Sequence, residues 1–154
     1  YPRPYWKWVQ KVAADHDIDP YFMLALIRQE STFDDQIVSP AGAIGLGQIM
    51  PATGRILAEQ SSIQPFRTEM LRNPLFSIKL SALYLGSLWK KWNDPRWVLA
   101  NYNAGPAPTA RWVKTLSDES WELAAEEVSY WETRDYIKRV MGNWWTYLRV
   151  WGDQ

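Results

Sequence analysis

The chain has 154 residues, 47% of them hydrophobic, which fits one domain spanning residues 1–154 with an ordinary core. Its 17 basic and 17 acidic residues balance, which argues against nucleic acid as a partner, and no apolar run reaches the ~20 residues of a membrane-spanning segment. Cysteine is absent and histidine occurs once, at His16 in a polar turn, which disfavours thiol catalysis, Ser-His-Asp relays and Cys/His zinc sites. Any chemistry therefore falls to carboxylates.

The first predicted element is a short helix around Val9, preceded by a segment of different character. Tyr1-Pro2-Arg3-Pro4 is typical of the end of a linker, and we expect this domain to have been cut from a longer protein. Three Asp-Pro or Asn-Pro pairs then supply an N-cap followed by a proline that the first helical turn tolerates. They predict helix starts at Asp19, Asn73 and Asp94.

Two long helices are predicted from apolar residues that recur every three or four positions. No segment alternates apolar and polar residues as a strand would, so the domain is expected to be mainly α. The first stripe, within Pro74 to Trp92, consists of Leu75, Ile78, Ala82, Leu85, Leu88, Trp89 and Trp92. The second, in the last segment, consists of Tyr136, Ile137, Val140, Met141, Trp144, Leu148 and Trp151.

Glu30 continues the apolar face of the helix that starts after Asp19. Met23, Leu26 and Ile27 define that face, and the next position on it is Glu30. Burial and the negative end of the helix dipole both raise the pKa of a carboxyl group placed there. Such a glutamate can donate a proton near neutral pH. The alternative is a solvated glutamate at a frayed helix end. The position of Glu30 on the helix, taken alone, favours this alternative.

A loop rich in small residues follows, from Ser39 to Pro51. Glycine lets a backbone approach a ligand closely, and the amide of Gln48 can donate and accept hydrogen bonds. The loop is therefore a candidate ligand-binding segment, although an ordinary glycine-rich connection is the alternative reading of any single glycine.

Polar residues also mark two helix ends further along the chain. Tyr102 and Asn103 precede a Gly-Pro stop, and a tyrosine there can orient a carboxyl group. Glu132 heads the final helix, where the two alternatives are a capping carboxylate paired with Arg134 and a substrate contact. Asp34 and Asp35 are the candidates for a second catalytic carboxylate, and their adjacency in a polar turn favours a capping role.

The chain contains 11 tryptophans and 8 tyrosines. A tryptophan offers a large flat apolar face with one polar handle, which suits both helix packing and stacking on sugar rings. Core packing is the expected role for most of them, and a minority are candidates to line a carbohydrate groove.

Five segments, taken together and in order, resemble the catalytic domain of soluble lytic transglycosylases over nearly the whole chain. The resemblance implies a mainly helical, lysozyme-like fold with a substrate groove, no metal or organic cofactor, and action on peptidoglycan in the bacterial periplasm or cell envelope. The segments are Gln29-Glu30-Ser31, Ser39-Pro40, Gly45-Leu46-Gly47-Gln48-Ile49-Met50-Pro51, Tyr102-Asn103-Ala104-Gly105, and Glu132-Thr133-Arg134 with Tyr136.

The same resemblance implies roles for individual residues. Glu30 matches the catalytic acid/base, and the residues that match positions lining the sugar groove are Ser39, Gln48, Met50, Tyr102, Asn103 and Glu132. Two departures concern the shape of the groove. Gly47 stands where many members have methionine, and Tyr130-Trp131 stands where a smaller apolar-proline-aromatic stretch is common.

The sequence therefore predicts a lytic transglycosylase that cleaves the MurNAc–GlcNAc β-1,4 bond without water and leaves 1,6-anhydromuramyl ends. Peptidoglycan is the expected partner, and a further domain is expected in the full-length protein. The alternative enzyme is a goose-type lysozyme, in which water attacks. A peptidoglycan-binding module without catalysis and a helical interaction domain are the alternatives outside enzymes, although neither explains both Glu30 and the glycine-rich loop.

Overall fold

The computed structural model describes residues 1–152, apart from the side chains of Trp121 and Ala125. Within that part of the chain, helices form the regular structure, and the β-type pairing consists of two isolated bridges at Ile44. The prediction of a mainly α domain is confirmed. The helices are α1 (Trp6–Ala14), α2 (Pro20–Ser31), α3 (Pro51–Gln60), α4 (Pro74–Trp92), α5 (Pro95–Ala104), α6 (Pro106–Leu116), α7 (Trp121–Glu127) and α8 (Trp131–Trp151), with a short 3-10 helix at Thr68–Arg72.

The three predicted helix starts are confirmed. Asp19, Asn73 and Asp94 are the N-caps of α2, α4 and α5, and each is followed by a proline in the first turn. Their side-chain oxygens accept hydrogen bonds from backbone N–H groups two or three residues further on, which satisfies donors that would otherwise have no partner.

Two other helices also begin with proline but were not predicted. Pro51 opens α3 and Pro106 opens α6, and their N-cap residues, Met50 and Gly105, make no side-chain capping hydrogen bond. The Gly105-Pro106 pair does end α5, as predicted, because Gly105 caps it with a φ of 86°. The same proline then starts the next helix, so the predicted stop is also a start.

The middle of the core is α2, which packs against both α1 and α8. Six consecutive residues, Phe22 to Ile27, are buried, so this helix is enclosed on nearly all sides rather than on one stripe. A polar side chain at its C-terminal end is consequently held between neighbouring helices. This arrangement fixes the surroundings of Glu30.

The apolar stripe of α4 is buried from Ile78 to Leu88 and partly buried at Trp89 and Trp92, but it is exposed at its start. Leu75 was predicted on the buried face, yet it is 38% exposed. It lies in the first turn of the helix, where it lines a shallow surface with Trp8 and Lys79. From Ile78 onward the stripe faces the core.

The final helix, α8, packs against α2, α5 and α7. Its buried face includes Tyr136, Ile137, Val140 and Met141, as predicted, and also Tyr147. The segment Tyr1–Pro4 lies against its C-terminal part, where the Tyr147 hydroxyl donates to the Pro2 carbonyl at 2.7 Å. Among the described helices, none has both the length and the apolar character needed to cross a membrane.

A smaller apolar cluster supports the glycine-rich loop. Ile44 and Ile49 of the loop pack with Leu57 of α3, Leu71 of the 3-10 helix and Leu80 of α4. Because both ends of the segment 44–49 are anchored in this cluster, the residues between them are held in place beside α4.

Candidate active site

Glu30 lies in the last turn of α2, which ends at Ser31. Its side chain is partly buried, and its Oε1 accepts a hydrogen bond from the Tyr136 hydroxyl of α8 at 2.6 Å. Burial raises the pKa of Glu30 from 4.5 to about 7, although the hydrogen bond from Tyr136 opposes part of that rise. The carboxyl group can therefore exchange a proton near neutral pH, as a general acid and base must.

A second phenol, that of Tyr102, also lies near this carboxyl group. Burial, reinforced by the negative charge of Glu30, raises the pKa of Tyr102 and of Tyr136 above the usual 10. Both phenols stay protonated at physiological pH and serve as neutral hydrogen-bond donors. The ring of Tyr84 lies 5.1 Å from that of Tyr102, and its hydroxyl accepts from the Asn101 side chain at 3.3 Å.

Tyr102 connects α5 to the glycine-rich loop. Its hydroxyl donates to the Gly47 carbonyl at 2.8 Å, so the tyrosine that bonds Glu30 directly is Tyr136 rather than Tyr102. Burial is the main cause of the raised pKa of Tyr102, and the negative charge of Glu30 adds to it. Tyr102 thus joins the loop to the surroundings of the carboxyl group.

Gly47 is set against a serine of α4 that the sequence had not singled out. A Cβ at position 47 would lie 1.9 Å from the Ser81 Oγ and 3.0 Å from the Tyr102 hydroxyl. The Ser81 hydroxyl is buried beside Tyr102, without a well-oriented hydrogen bond to any described residue. Ser81 thus takes the space that a side chain at position 47 would need, which explains why glycine stands there.

Hydrogen bonds between its own residues hold the rest of the loop in place. The Ser39 Oγ accepts from the Ala43 N–H at 3.0 Å, and the Gln48 Nε2 donates to the Gly45 carbonyl at 3.0 Å. Gly45 has a φ of 74°, and a Cβ there would lie 2.2 Å from the Leu71 carbonyl oxygen, so only glycine fits. The side chain of Ser39 serves this turn and lines neither of the two cavities described next.

A groove with two adjacent cavities lies beside the tyrosines. The first, of about 250 Å³, is lined by Gln48, Met50, Tyr102 and Asn103 among others. The second, of about 400 Å³, is lined by Asn103 and Glu132 together with Trp131. Asn103 is common to both, so the structure brings five of the predicted groove residues together along one surface. Glu30 itself lines neither cavity, but Tyr102, which lines the first, lies close enough to Glu30 for the negative charge of that carboxylate to act on it.

The two aspartates that are candidates for a second catalytic carboxylate make hydrogen bonds within their own turn. Asp34 accepts a hydrogen bond from the Gln36 backbone N–H, and Asp35 accepts one from the Gln36 side chain, both at 2.9 Å. Asp35 also lies close enough to Tyr5 to add to the rise that burial causes in the pKa of that phenol. The predicted capping role is confirmed for Asp34.

Glu132 is exposed in the first turn of α8 and faces the second cavity. The helix has no side-chain N-cap, and Arg134 donates to the Glu126 carbonyl at 2.7 Å. The alternative of a capping carboxylate paired with Arg134 is therefore not the arrangement found. Thr133 instead donates to the Asn103 Oδ1 at 2.7 Å, which joins α8 to α5 across the groove.

Comparison with known families decides the classification. Residues 7–123 match the model of the Transglycosylase SLT domain. The chain belongs to this family. The match confirms the resemblance to the catalytic domain of soluble lytic transglycosylases, an enzyme family that acts on murein.

Individual relatives agree with this assignment. The chain is 33% identical over 128 residues, 81% of its length, to a soluble lytic murein transglycosylase of Salmonella typhimurium, and covers 20% of that protein. It is 29% identical over its full length to the soluble lytic murein transglycosylase of Escherichia coli K12, of which it covers 24%. The chain thus spans between 20% and 30% of the curated relatives it matches.

Solved structures show the same fold. The 70 kDa soluble lytic transglycosylase of Escherichia coli superposes with a TM-score of 0.92 and 28% identity, over 99% of this chain and 25% of that one. An inactive glutamate-to-glutamine mutant of the lytic transglycosylase Slt from Pseudomonas aeruginosa gives a TM-score of 0.91 and 27% identity, over 97% of this chain and 24% of that one. The predicted lysozyme-like architecture is confirmed.

Proposed function

We propose that this domain cleaves the β-1,4 bond between N-acetylmuramic acid and N-acetylglucosamine in peptidoglycan, with Glu30 as the single acid and base. The observation that carries the proposal is a carboxyl group with a pKa of about 7 that accepts a hydrogen bond from Tyr136 and lies close to Tyr102, a residue that lines the groove. The Pseudomonas aeruginosa relative, inactive as a glutamate-to-glutamine mutant, supports an essential glutamate.

The reaction proceeds in two proton transfers. Protonated Glu30 first donates to the glycosidic oxygen while the bond from that oxygen to the muramyl anomeric carbon breaks. The muramyl 6-hydroxyl then bonds to the anomeric carbon, and its proton returns to the Glu30 carboxylate. The hydroxyl is already attached to the reacting sugar, which gives it an advantage of proximity over water. The product carries a 1,6-anhydro end.

The surroundings of Glu30 fit a mechanism with one carboxyl group. Hydrolytic glycosidases commonly place two carboxylates across the scissile bond. In the part of the chain that the structure describes, Asp34 and Asp35 serve a turn, and Glu132 faces the second cavity at the start of α8. The muramyl 2-acetamido oxygen can stabilise the positive charge that a second carboxylate would otherwise meet.

The proposed setting is the bacterial periplasm or cell envelope, with peptidoglycan strands as partner. Relatives of this chain include both soluble and membrane-bound murein transglycosylases, which supports an envelope location. We also propose that the domain works as one part of a longer protein, since it covers only about a quarter of those relatives.

Loss of turbidity from purified cell walls tests whether the domain is catalytic. The parent should clear the walls, Glu30→Gln should retain less than about 1% of that rate, and the double variant Asp34→Asn with Asp35→Asn should retain most of it. The aspartate variant is a matched control, because it makes the same carboxylate-to-amide change nearby. Activity of Glu30→Gln within about tenfold of the parent, or loss in the aspartate variant, would contradict the single-glutamate mechanism.

A further inference from the structure

Trp131 presents an unusually exposed aromatic surface at the edge of the groove. Its side chain is 70% exposed, the highest fraction among the large hydrophobic residues that the structure describes, and the adjacent Tyr130 is 48% exposed. Apolar surface grouped in this way is characteristic of a binding site rather than of a random surface residue. The pair stands where the sequence departs from the common family pattern, so the resemblance supplies no role for it.

The segment that carries Trp131 is held in a defined position. The Trp112 Nε1 of α6 donates to the Ser129 Oγ at 3.0 Å, and the ring of Tyr130 meets that of Trp112 at 90° with centroids 5.1 Å apart. Val128, at the end of α7, is buried in the core. The indole of Trp131 is therefore presented from an anchored backbone, not from a loose loop.

Polar groups next to Trp131 are oriented toward the same cavity. Thr133 donates to the Asn103 Oδ1 at 2.7 Å, which fixes the orientation of the amide and leaves its NH₂ group available as a donor. The exposed carboxylate of Glu132 adds an acceptor. An aromatic face beside a fixed amide donor and a carboxylate acceptor matches a sugar ring, which has an apolar face and a polar edge.

We propose that Trp131 is a stacking platform for one N-acetylhexosamine ring of the glycan strand, with Asn103 and Glu132 binding the polar edge of that ring. The inference rests on the proposed function, because it takes the groove to hold a glycan. Trp131 precedes Tyr136 by five residues on α8, about 7–8 Å along the helix axis. The platform is therefore displaced from the bond under attack, and it contributes to strand affinity rather than to the chemical step.

Binding of soluble β-1,4-linked N-acetylglucosamine oligomers tests the platform without any cleavage. Titration calorimetry in the Glu30→Gln background should show that Trp131→Ala raises the Kd about tenfold, and that Trp131→Phe raises it less because a smaller ring still stacks. Trp8→Ala is the matched control, since Trp8 is 47% exposed on α1 and lines a different surface. A Kd for Trp131→Ala within twofold of the parent, or no oligomer binding by the parent, would overturn the proposal.

Two further readouts separate this inference from the transglycosylase proposal. The indole N–H signal that is missing from the spectrum of Trp131→Phe should shift when oligomer is added to the parent, whether or not the domain cleaves walls. In wall cleavage, Trp131→Ala should raise KM about tenfold and leave kcat within twofold. An unmoved indole signal, or a fall in kcat with KM unchanged, would contradict a binding platform even if the walls are cleaved.

Discussion

Tyr136 and Glu30 lie 106 residues apart in the chain, yet the phenol of one donates to the carboxylate of the other at 2.6 Å. The bond crosses the contact between α8 and α2, two helices that pack against each other in the core. The ionisation of Glu30 is therefore governed by the burial that this packing creates and by one donor from the facing helix.

Replacing Tyr136 by phenylalanine should change the pH dependence of cleavage. The substitution removes the hydrogen bond that lowers the pKa of Glu30 and leaves the burial that raises it. The pKa of Glu30 should rise further, so the basic limb of the kcat/KM profile moves to higher pH. The rate below that limb should fall about tenfold, because the carboxyl group loses its orientation.

Rates of wall cleavage between about pH 5 and 9 measure this effect. Tyr147→Phe is the control, since it makes the same change on the same helix to a phenol that donates to the Pro2 carbonyl. A basic limb that stays in place in Tyr136→Phe, or moves equally in Tyr147→Phe, would contradict the assigned role of Tyr136.

Glu30→Gln should stabilise the fold at alkaline pH. The pKa of Glu30 is raised from 4.5 to about 7 on folding, so the folded parent binds the proton more tightly than the unfolded chain. The parent is therefore most stable below pH 4.5 and loses stability as the pH rises to about 7. The amide cannot ionise, and the variant should gain about 3 kcal/mol over the parent above that range.

Urea unfolding of both proteins at pH 4 and pH 8 checks this prediction, with the exposed Glu59→Gln on α3 as a control. The advantage of Glu30→Gln should be near zero at the acidic pH and full at the alkaline pH. An equal gain at both pH values would mean that burial of the charge does not explain it.

Tyr102→Phe should lower turnover much more than affinity. The phenol donates a hydrogen bond to the Gly47 carbonyl, and the negative charge of Glu30 acts on it. Its loss should therefore change the geometry around the acid. We expect kcat to fall about tenfold with KM changed by less than about threefold. Steady-state kinetics on a soluble glycan substrate measure both, and a raised KM with intact kcat would reduce Tyr102 to a binding contact.

Gly47 and Ser81 should be energetically coupled. Gly47→Ala brings a Cβ to 1.9 Å from the Ser81 Oγ, and we expect it to cost about 1–3 kcal/mol. Ser81→Ala alone should change stability by less than about 1 kcal/mol, since it removes a small buried hydroxyl. The double variant should recover most of the cost of Gly47→Ala, because the clashing oxygen is gone and only the milder contact with the Tyr102 hydroxyl at 3.0 Å is left. A thermodynamic cycle whose two single effects simply add would contradict the steric explanation of Gly47.

The sequence predicted the elements whose signals are local. Asp19, Asn73 and Asp94 combine a capping side chain with a following proline, and all three helices were found. Pro51 and Pro106 open helices without a capping side chain, so the proline alone was not recognised as a start. Glu30 was found because it extends a helical stripe.

The contacts that complete the site could not be predicted from local sequence patterns. Periodicity indicated that Tyr136 is buried, but not which residue of a helix far away in the chain it would meet. Ser81 is a small residue inside α4, and only the approach of Gly47 gives it significance. Trp131 was visible as a departure from the family pattern, while its exposure depends on how Trp112 anchors the preceding residues.

The nature of the product tests the central claim most directly. Digestion of peptidoglycan in oxygen-18 water, followed by mass spectrometry of the muropeptides, shows whether water enters the bond that is broken. With Glu30 as the single acid and base and the muramyl 6-hydroxyl as nucleophile, the products should carry 1,6-anhydro ends and no label at the anomeric carbon. Mainly reducing ends labelled with oxygen-18 would contradict the account and identify a hydrolase of the goose-type lysozyme kind.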